Sequence, residues 1–545
     1  MKCFLIREAS SIFWNASTSY GLGMVGTVAS AVAEVRILDN NSKYKRYTNA
    51  QLLQEIDRFD PHVVGFSIHA FNILASGQLI RAVKKRFPHL CLIGGGLHTF
   101  TMPHEVSETG VDIVVKGEAE LAIKPLLRAL DEQPVNRNYA FVIGNALAAV
   151  LDSIPGLLFH AAHRPARTDT GMGLYVQDLD TLPFINYDLF NLHDYLKYPG
   201  DDLYVTNVLV TQRGCPYPCP FCHVEESAAL NNVRENSSAY RLALVDHLAT
   251  RYNPKHLIIY DSNFTLRRKS ALDFCLGFRA RGFHERMTFF CQTNVVIKLD
   301  DELVLAMRQA GCTEVGLGIE RLSKRALELI RKNRNYERIL HNIGILNRYG
   351  MHVQANCLLG FPFDTRETVE EEQRLFASIQ DQISVFAVFI LQPAPGTEVY
   401  ELTPYKRWYL EKKFVEWKPS FYHISYNYAT NAWDANFFNL DPETQKAIRV
   451  MKEHFHTLSI AKMNSPLLDL LHQLERGVAK ASFALYCVSP NLERILFWLP
   501  TMVRKSLHNY LLQTKHPTRN PNRPEDPAIR PDPPDNPRLD YHPSP

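Results

Sequence analysis

The chain has no uninterrupted apolar stretch of about eighteen residues, so no transmembrane helix is expected. Its opening, "MKCFLIREAS", lacks the basic start and apolar run of a secretory signal and reads as a buried strand entering a polar loop. Cysteine is sparse, at 10 in 545 residues, and seven of the ten are scattered through apolar surroundings: Cys3, Cys91, Cys275, Cys291, Cys312, Cys357 and Cys487. That distribution excludes a disulfide framework and points to reduced thiols in a cytoplasmic protein. Neither sign of charge dominates, with 60 Lys and Arg against 57 Asp and Glu, a net +3. Such a balance gives no footing for nucleic acid or an anionic membrane surface. No internal repeat is visible.

What is present is an ordinary globular composition, 46% hydrophobic and 21% charged, with enough apolar residues for more than one core. In the first 135 residues, "KCFLI", "EVRILD", "HVVGFSI", "LCLIGGG" and "DIVVKG" read as strands, and "NAQLLQEIDRF" and "SGQLIRAVKKRF" as helices between them. This alternation predicts an α/β, Rossmann-like doubly wound domain. Residues 136–200 are irregular and read as a linker. Over 201–400 the alternation resumes with "HLIIYDSNF", "MTFFCQTN", "EVGLGIE", "HVQANCLLGFP" and "SVFAVFILQPAPGT", predicting a partial (β/α)6 barrel of the TIM type. "DDELVLAMRQAG" is a helix between two of these strands, with Asp at its start and Gly311 at its end. Residues 401–512 are richer in aromatics and helical patterns, and suit a mostly helical region on the substrate side. From 513 to 545 the chain is a Pro-rich tail: ten of its 32 prolines lie in the last thirty residues, which therefore cannot bury a core.

One stretch breaks the scatter of cysteines. "QRGCPYPCPFCHVEE" holds Cys215, Cys219 and Cys222 in a C-x3-C-x2-C spacing, with prolines between them. A structural zinc site closes with a fourth ligand, usually from a second paired motif, and none follows here. Three thiolates can instead hold three corners of an iron–sulfur cluster and leave one iron open.

This motif, with an aromatic (Phe221) before its last cysteine and a strand leading into it, resembles the signature of radical S-adenosylmethionine (SAM) enzymes. The resemblance implies a [4Fe–4S] cluster held by Cys215, Cys219 and Cys222, whose open iron binds SAM and cleaves it to a 5′-deoxyadenosyl radical. It also implies a reducing electron donor such as flavodoxin or ferredoxin. "QTN" and "GLGIE" end strands where that family contacts SAM, so Phe221, Gln292, Asn294, Gly318 and Glu320 are the implied SAM residues. "RQAGCTEVGLGIE", "LLGFPFDTRET" and "PAPGTEVY" also look like that family's barrel. Where the family often carries two acidic residues in D-D-x-F, this chain has "DSNF", Asp261 to Phe264, a departure at that strand end.

The first domain resembles the cobalamin (B12)-binding domain that precedes the barrel in one radical SAM subclass, which includes class B methyltransferases and the anaerobic Mg-protoporphyrin monomethyl ester cyclases. The segments that carry this are "PHVVGFSIHAFN", "CLIGGGLHTFTMPHEV" and "VDIVVKGEAE". The implied cobalamin residues are Ser67, Gly94, Gly95, Gly96, Gly117 and Glu118. The D-x-H-x-x-G that supplies a histidine to cobalt in many such domains is missing after the first strand, where "REASSIFWNAS" stands. Cobalt without a histidine below it is therefore expected, and His69, His98 and His104 read as satisfied loop residues.

Together these features imply an enzyme that methylates an unactivated carbon or phosphorus of a small molecule, through methylcobalamin and a 5′-deoxyadenosyl radical. Two alternatives stay open: an oxidative cyclase or ring-rearranging enzyme with the same cofactors, and a non-catalytic corrinoid or metal sensor.

Overall fold

The computed structural model describes residues 1–9, 18–42, 45–70, 72–133, 137–195, 208–222, 233–332, 335–402, 426–427, 432–433 and 440–462. The Pro-rich tail, Cys487 and most of the region 401–512 lie outside them.

Two parallel sheets organise the described residues. The first contains β1 (Lys2–Arg7), β2 (Glu34–Asp39), β3 (Val63–Ser67), β4 (Cys91–Gly95), β5 (Ile113–Val115), β6 (Leu157–Phe159) and β7 (Thr168–Asp169). Their order is β2-β1-β3-β4-β5-β6-β7, with the first five parallel and β6 and β7 antiparallel. In β1, Cys3, Phe4, Leu5 and Ile6 are all buried, as expected of a strand covered on both faces. The covering helices are α1 (Tyr20–Ala29), α2 (Asn49–Phe59), α3 (Ile73–Arg86), α4 (His98–Thr101), α5 (Pro103–Glu108), α6 (Ile123–Asp131) and α7 (Asn145–Leu151). α2 begins with a capping box, in which Thr48 Oγ1 accepts from Gln51 N–H and Gln51 Oε1 accepts from Thr48 N–H. The strand order reverses between β1 and β3, which opens a crevice at their carboxyl ends.

The segment expected to be a linker, 136–200, is more than that. Leu157, Leu158 and Phe159 are buried and extend the first sheet along β5. Their pairing runs antiparallel, so it needs no crossover helix and leaves no β-α-β pattern to read.

The second sheet contains β8 (Val208–Leu209), β11 (His256–Ile259), β12 (Thr288–Asn294), β13 (Cys312–Glu320), β14 (His352–Leu359) and β15 (Val385–Ile390). Between β8 and β11 lies a small ribbon of β9 (Gln212–Arg213) and β10 (Arg234–Glu235). The six strands are parallel and stand in sequence order, the arrangement of a partial barrel rather than of a doubly wound sheet. Outside them lie α8 (Ser238–Arg251), α9 (Arg268–Ala280), α10 (Asp301–Gln309), α11 (Lys324–Leu329), α12 (Tyr336–Arg348), α13 (Arg366–Ser378), α14 (Glu398–Glu401) and α15 (Pro442–Lys462). α10 is capped by Asp300, which accepts from Leu303 N–H, and is followed by Gly311 at φ +91°. In β14, Val353, Ala355, Cys357 and Leu359 are buried, while Gln354, Asn356 and Leu358 are less so; this alternation separates a helix-covered face from a face toward the barrel interior. β16 (Tyr426–Asn427) and β17 (Ala432–Trp433) pair antiparallel.

Candidate cofactor sites

The cysteine loop leaves the barrel directly after β9. Gly214 has φ +91°, a conformation side chains resist, and turns the chain into Cys215. Within the loop Cys219 N–H donates to Tyr217 O and Cys222 N–H to Cys219 O, each at 3.0 Å. Cys219 is buried and Cys215 and Cys222 half-buried; all three are free thiols. Burial raises the pKa of Cys215 and pushes that of Cys219 up to about 12, against the lowering influence of Lys332. Loading metal here therefore has to displace protons. Among the described residues no three His, Cys, Asp or Glu side chains converge on a point where a single ion could sit. A zinc ion needs donors about 2.3 Å from one centre, whereas a cubane takes each thiolate at a separate iron. Three thiols on one loop offer the cubane one ligand for each of three irons.

Asp261 holds the stem of this loop. Its side chain is buried and accepts from Thr211 N–H at 2.5 Å, Thr211 Oγ1 at 2.6 Å and Gln212 N–H at 2.8 Å. The "DSNF" departure thus keeps the first acid, Asp261, and places Ser262 where the second would stand; Asn263 after it accepts from Thr293 Oγ1 at 2.8 Å and Asn294 N–H at 3.3 Å. Phe221 sits edge-on to Phe361, ring centres 5.7 Å apart; Phe361 stacks on Phe363 at 5.0 Å, and the buried Arg321 guanidinium lies over both. The ring of Phe221 is thus packed within the barrel.

The end of β13 lies in reach of the loop. Glu320 adopts φ +61° and forms an ion pair with Lys332 at 2.8 Å; Lys332 also donates to Gly318 O at 2.6 Å. Behind them Arg321 and Asp364, both with fully buried side chains, form an ion pair in which Arg321 Nη2 donates to both carboxylate oxygens, at 2.6 and 2.7 Å. Asp364 further accepts from Gly360 and Phe361 N–H, and Glu372 from Leu322 and Ser323 N–H. A Cβ on Gly316 would come within 3.0 Å of Phe290 and 3.3 Å of Gln292, and one on Gly318 within 2.9 Å of Lys332 Nζ. Gln292, Gly316 and Gly318 therefore share one side of the sheet, with Glu320 and Lys332 at its rim. Asn294 caps the next turn through Val296 N–H at 3.0 Å.

In the first sheet the three glycines differ in role. A Cβ on Gly94 would strike Val106 at 2.8 Å, so this residue serves helix packing. Gly96 has φ +105°, and a Cβ there would lie 2.6 Å from Ile68 O, so the loops after β3 and β4 cross at this point. Around Gly95 nothing lies within 4 Å of such a Cβ, which leaves open space at the strand end. Ser67 stands beside it, with Oγ 3.4 Å from His69 Nε2. A cradle of bare backbone with a hydroxyl at its rim fits the tail of a corrinoid. His98 is buried in α4, with Nε2 2.5 Å from Glu105; burial pushes its pKa down to about 3, so it is neutral and engaged within the domain. Gly117 takes φ +78° in the turn after β5.

Two family models match the chain. The family described as the Radical SAM superfamily matches residues 209–376, and the B12 binding domain matches residues 16–127. The chain thus carries a radical SAM domain preceded by a B12-binding domain. An uncharacterised methyltransferase of Pyrococcus horikoshii is 27% identical over 386 residues, covering 70% of this chain and 77% of that one. Cytidylyl-2-hydroxyethylphosphonate methyltransferase of Streptomyces wedmorensis is 24% identical, covering 78% and 84%. The anaerobic magnesium-protoporphyrin IX monomethyl ester cyclase of Cereibacter sphaeroides is 22% identical over 65% of this chain, which spans 55% of that enzyme's length. Among solved structures, the radical SAM methyltransferase TsrM of Kitasatospora setae, with cobalamin and a [4Fe–4S] cluster bound, superposes with a TM-score of 0.56 at 18% identity, over 73% of this chain and 74% of that one.

Three cations near these loops are engaged in ion pairs that the motifs did not announce. Lys332, Arg213 and Arg234 were not among the residues that the resemblance implied. One signal was available: Arg321 and Asp364 follow apolar strand ends, where a charge must find a buried partner.

No helix of the described residues is long and apolar enough to cross a membrane.

Proposed function

We propose that this enzyme methylates an unactivated carbon or phosphorus centre of a small-molecule substrate, drawing on SAM for both the methyl group and the radical. The observation that carries this reading is that the cysteine loop and the B12-binding domain meet directly: Arg213, two residues before Cys215, is bound by Glu118 and Glu120 at the edge of the first sheet. Residues 1–135 are taken as the core of the cobalamin domain and 201–400 as the radical domain. When bound, the cluster with SAM supplies a 5′-deoxyadenosyl radical, and cobalamin supplies a carrier for the methyl group.

The chain's own residues have four tasks in this reading. Cys215, Cys219 and Cys222 hold three cluster corners, and Asp261 fixes the stem from which they hang. Glu320 and Lys332 pair opposite charges at one strand end, which matches the ammonium and carboxylate of SAM, while Gly316 and Gly318 allow close approach and Gln292 offers hydrogen bonds. Ser67 and Gly95 receive the corrinoid tail, and Gly96 shapes the crossing that exposes them. A low-potential donor such as flavodoxin or ferredoxin delivers the electron, in a cytoplasmic setting suited to the nine free cysteines among the described residues.

Incubating the reduced protein with methyl-labelled SAM and candidate substrates tests the proposal. Label in the product, with S-adenosylhomocysteine and 5′-deoxyadenosine in similar amounts, supports it. Product formed with 5′-deoxyadenosine alone, without label, would replace it with a ring-forming reaction like that of the cyclase relatives.

A further inference from the structure

Glu118 ends the V-x-G-E segment after β5, where the sequence resemblance implies a corrinoid contact. In the structure its carboxylate is fully taken. Oε1 faces Arg234 at 2.7 Å and Arg213 at 3.1 Å; Oε2 accepts from Arg234 at 2.8 Å and from Val176 N–H at 2.9 Å. A carboxylate offers about four lone-pair sites, and these four contacts fill them, leaving none for the amides of an incoming corrinoid. Glu120 accepts from Arg213 at 2.6 Å, and Arg234 also donates to Val176 O at 2.7 Å. Arg213 and Arg234 face each other across the β9–β10 ribbon, and Gly214 and Cys215 follow Arg213 directly. The two carboxylates and two guanidiniums balance in charge, and all four side chains are largely buried. Removing one member would leave an opposite charge uncompensated in a low-dielectric setting. The stem of the cysteine loop is thus gripped from two sides, by Asp261 of the barrel and by this cluster from the first sheet.

We propose that Glu118 and Glu120 are positioning residues for the cluster-bearing loop, acting on Cys215 through Arg213 and Arg234, rather than contacts to cobalamin. This rests on the reading of the three cysteines as cluster ligands. It assigns the V-x-G-E segment of this chain to the joint between the domains, so the placement of the corrinoid domain sets the placement of the cluster.

The test uses full-length protein reconstituted anaerobically with iron, sulfide and hydroxocobalamin. Cobalamin and iron per chain, the paramagnetic resonance spectrum of the reduced cluster with and without SAM, and 5′-deoxyadenosine formation are measured for wild type, Glu118→Gln, Glu120→Gln and the exchange Glu118→Arg/Arg234→Glu. Glu118→Gln should keep wild-type cobalamin, alter the cluster spectrum and slow SAM cleavage by about ten- to a hundredfold, as a small displacement of reacting groups does. The exchange should recover part of that loss. Loss of cobalamin with an unchanged cluster spectrum would overturn the proposal, and so would an unchanged spectrum with unchanged cleavage. Should Glu118→Gln fail to fold, Arg234→Lys gives the same measurement, because it keeps the positive charge but cannot bond both carboxylate oxygens at once. Wild-type protein that binds no iron would sink the cysteine reading instead.

Discussion

The two parallel sheets prepare their ligand ends by different means. At the carboxyl edge of β3 and β4 the frame is neutral: Asn72 accepts from His69 N–H and donates to Ser67 O, Thr99 Oγ1 lies 2.7 Å from Gly96 O and Val115 O, and Gly96 passes against Ile68. At the edge of the barrel the frame is charged and buried: Asp261, Arg321 with Asp364, Glu372, and Glu320 with Lys332. Under the proposed function the contrast follows from what each edge would hold. A long amide-rich corrinoid tail needs room and bare backbone, which glycine supplies. A cluster and a zwitterionic SAM need fixed charges and dipoles that do not reorganise when an electron arrives.

The largest expected effect belongs to the thiols. Cys215→Ala, Cys219→Ala or Cys222→Ala should each abolish SAM cleavage while cobalamin stays bound, measured as 5′-deoxyadenosine formed and cobalt per chain. Cleavage surviving in any of them would remove the distinction between the two edges.

Next comes Arg321→Met, which leaves Asp364 buried without its cation. Loss of one partner from such a pair costs about 3–5 kcal/mol, so thermal unfolding of the apoprotein should fall steeply. A change within error would show that the barrel edge does not depend on buried charge.

Asp261→Asn keeps the shape but exchanges one acceptor oxygen for a donor facing the Thr211 and Gln212 donors. Hydrogen bonds to a charged group are worth about 1.5–3 kcal/mol, and iron loading should fall before global stability does. Full iron loading at wild-type rate would contradict its role at the stem.

The neutral edge is probed by two adjacent glycines. Gly96→Ala meets Ile68 backbone and a left-handed φ, so it should destabilise the first domain and weaken cobalamin binding together. Gly95→Ala has open space and should leave unfolding unchanged while lowering cobalamin affinity. Equal effects of the two on stability would erase the difference in their roles.

The smallest effect is one of pH. Burial raises the pKa of Glu118, but Arg234, Arg213 and the Val176 amide outweigh it and hold it below the usual range. A carboxylate depressed in the folded state adds stability above its unfolded pKa of about 4.3, and this is lost as pH falls through the folded value. The wild-type melting temperature should therefore drop slightly more between pH 5 and about 3.5 than that of Glu118→Gln. Parallel curves would mean that the ion cluster contributes nothing through its charge.

Much of this was legible from residue order. Continuous apolar runs such as "KCFLI" announce doubly covered strands, and C-x3-C-x2-C announces its ligand because three thiols in eight residues have few other uses. Asp261 was readable as a residue but not as a support, because its partners Thr211 and Gln212 lie about fifty positions earlier. The engagement of Glu118 was hidden for the same reason: Arg234, which occupies it, is 116 residues away. β6 and β7 escaped notice because short antiparallel strands beside β5 carry neither long apolar runs nor a crossover.

The sequence by itself determined the local features: most of the strands and helices, where glycine permits left-handed turns, and which three thiols stand on one loop. These depend on residue type and short spacing, through sterics and periodicity that act within a few residues. Only the tertiary structure decided which charges meet. It set Glu118 against Arg213 and Arg234, Lys332 against Glu320, and Arg321 against Asp364. Ion pairs form between side chains brought together by sheet order and domain contact, and a carboxylate in a sequence carries no mark of the cation it will face.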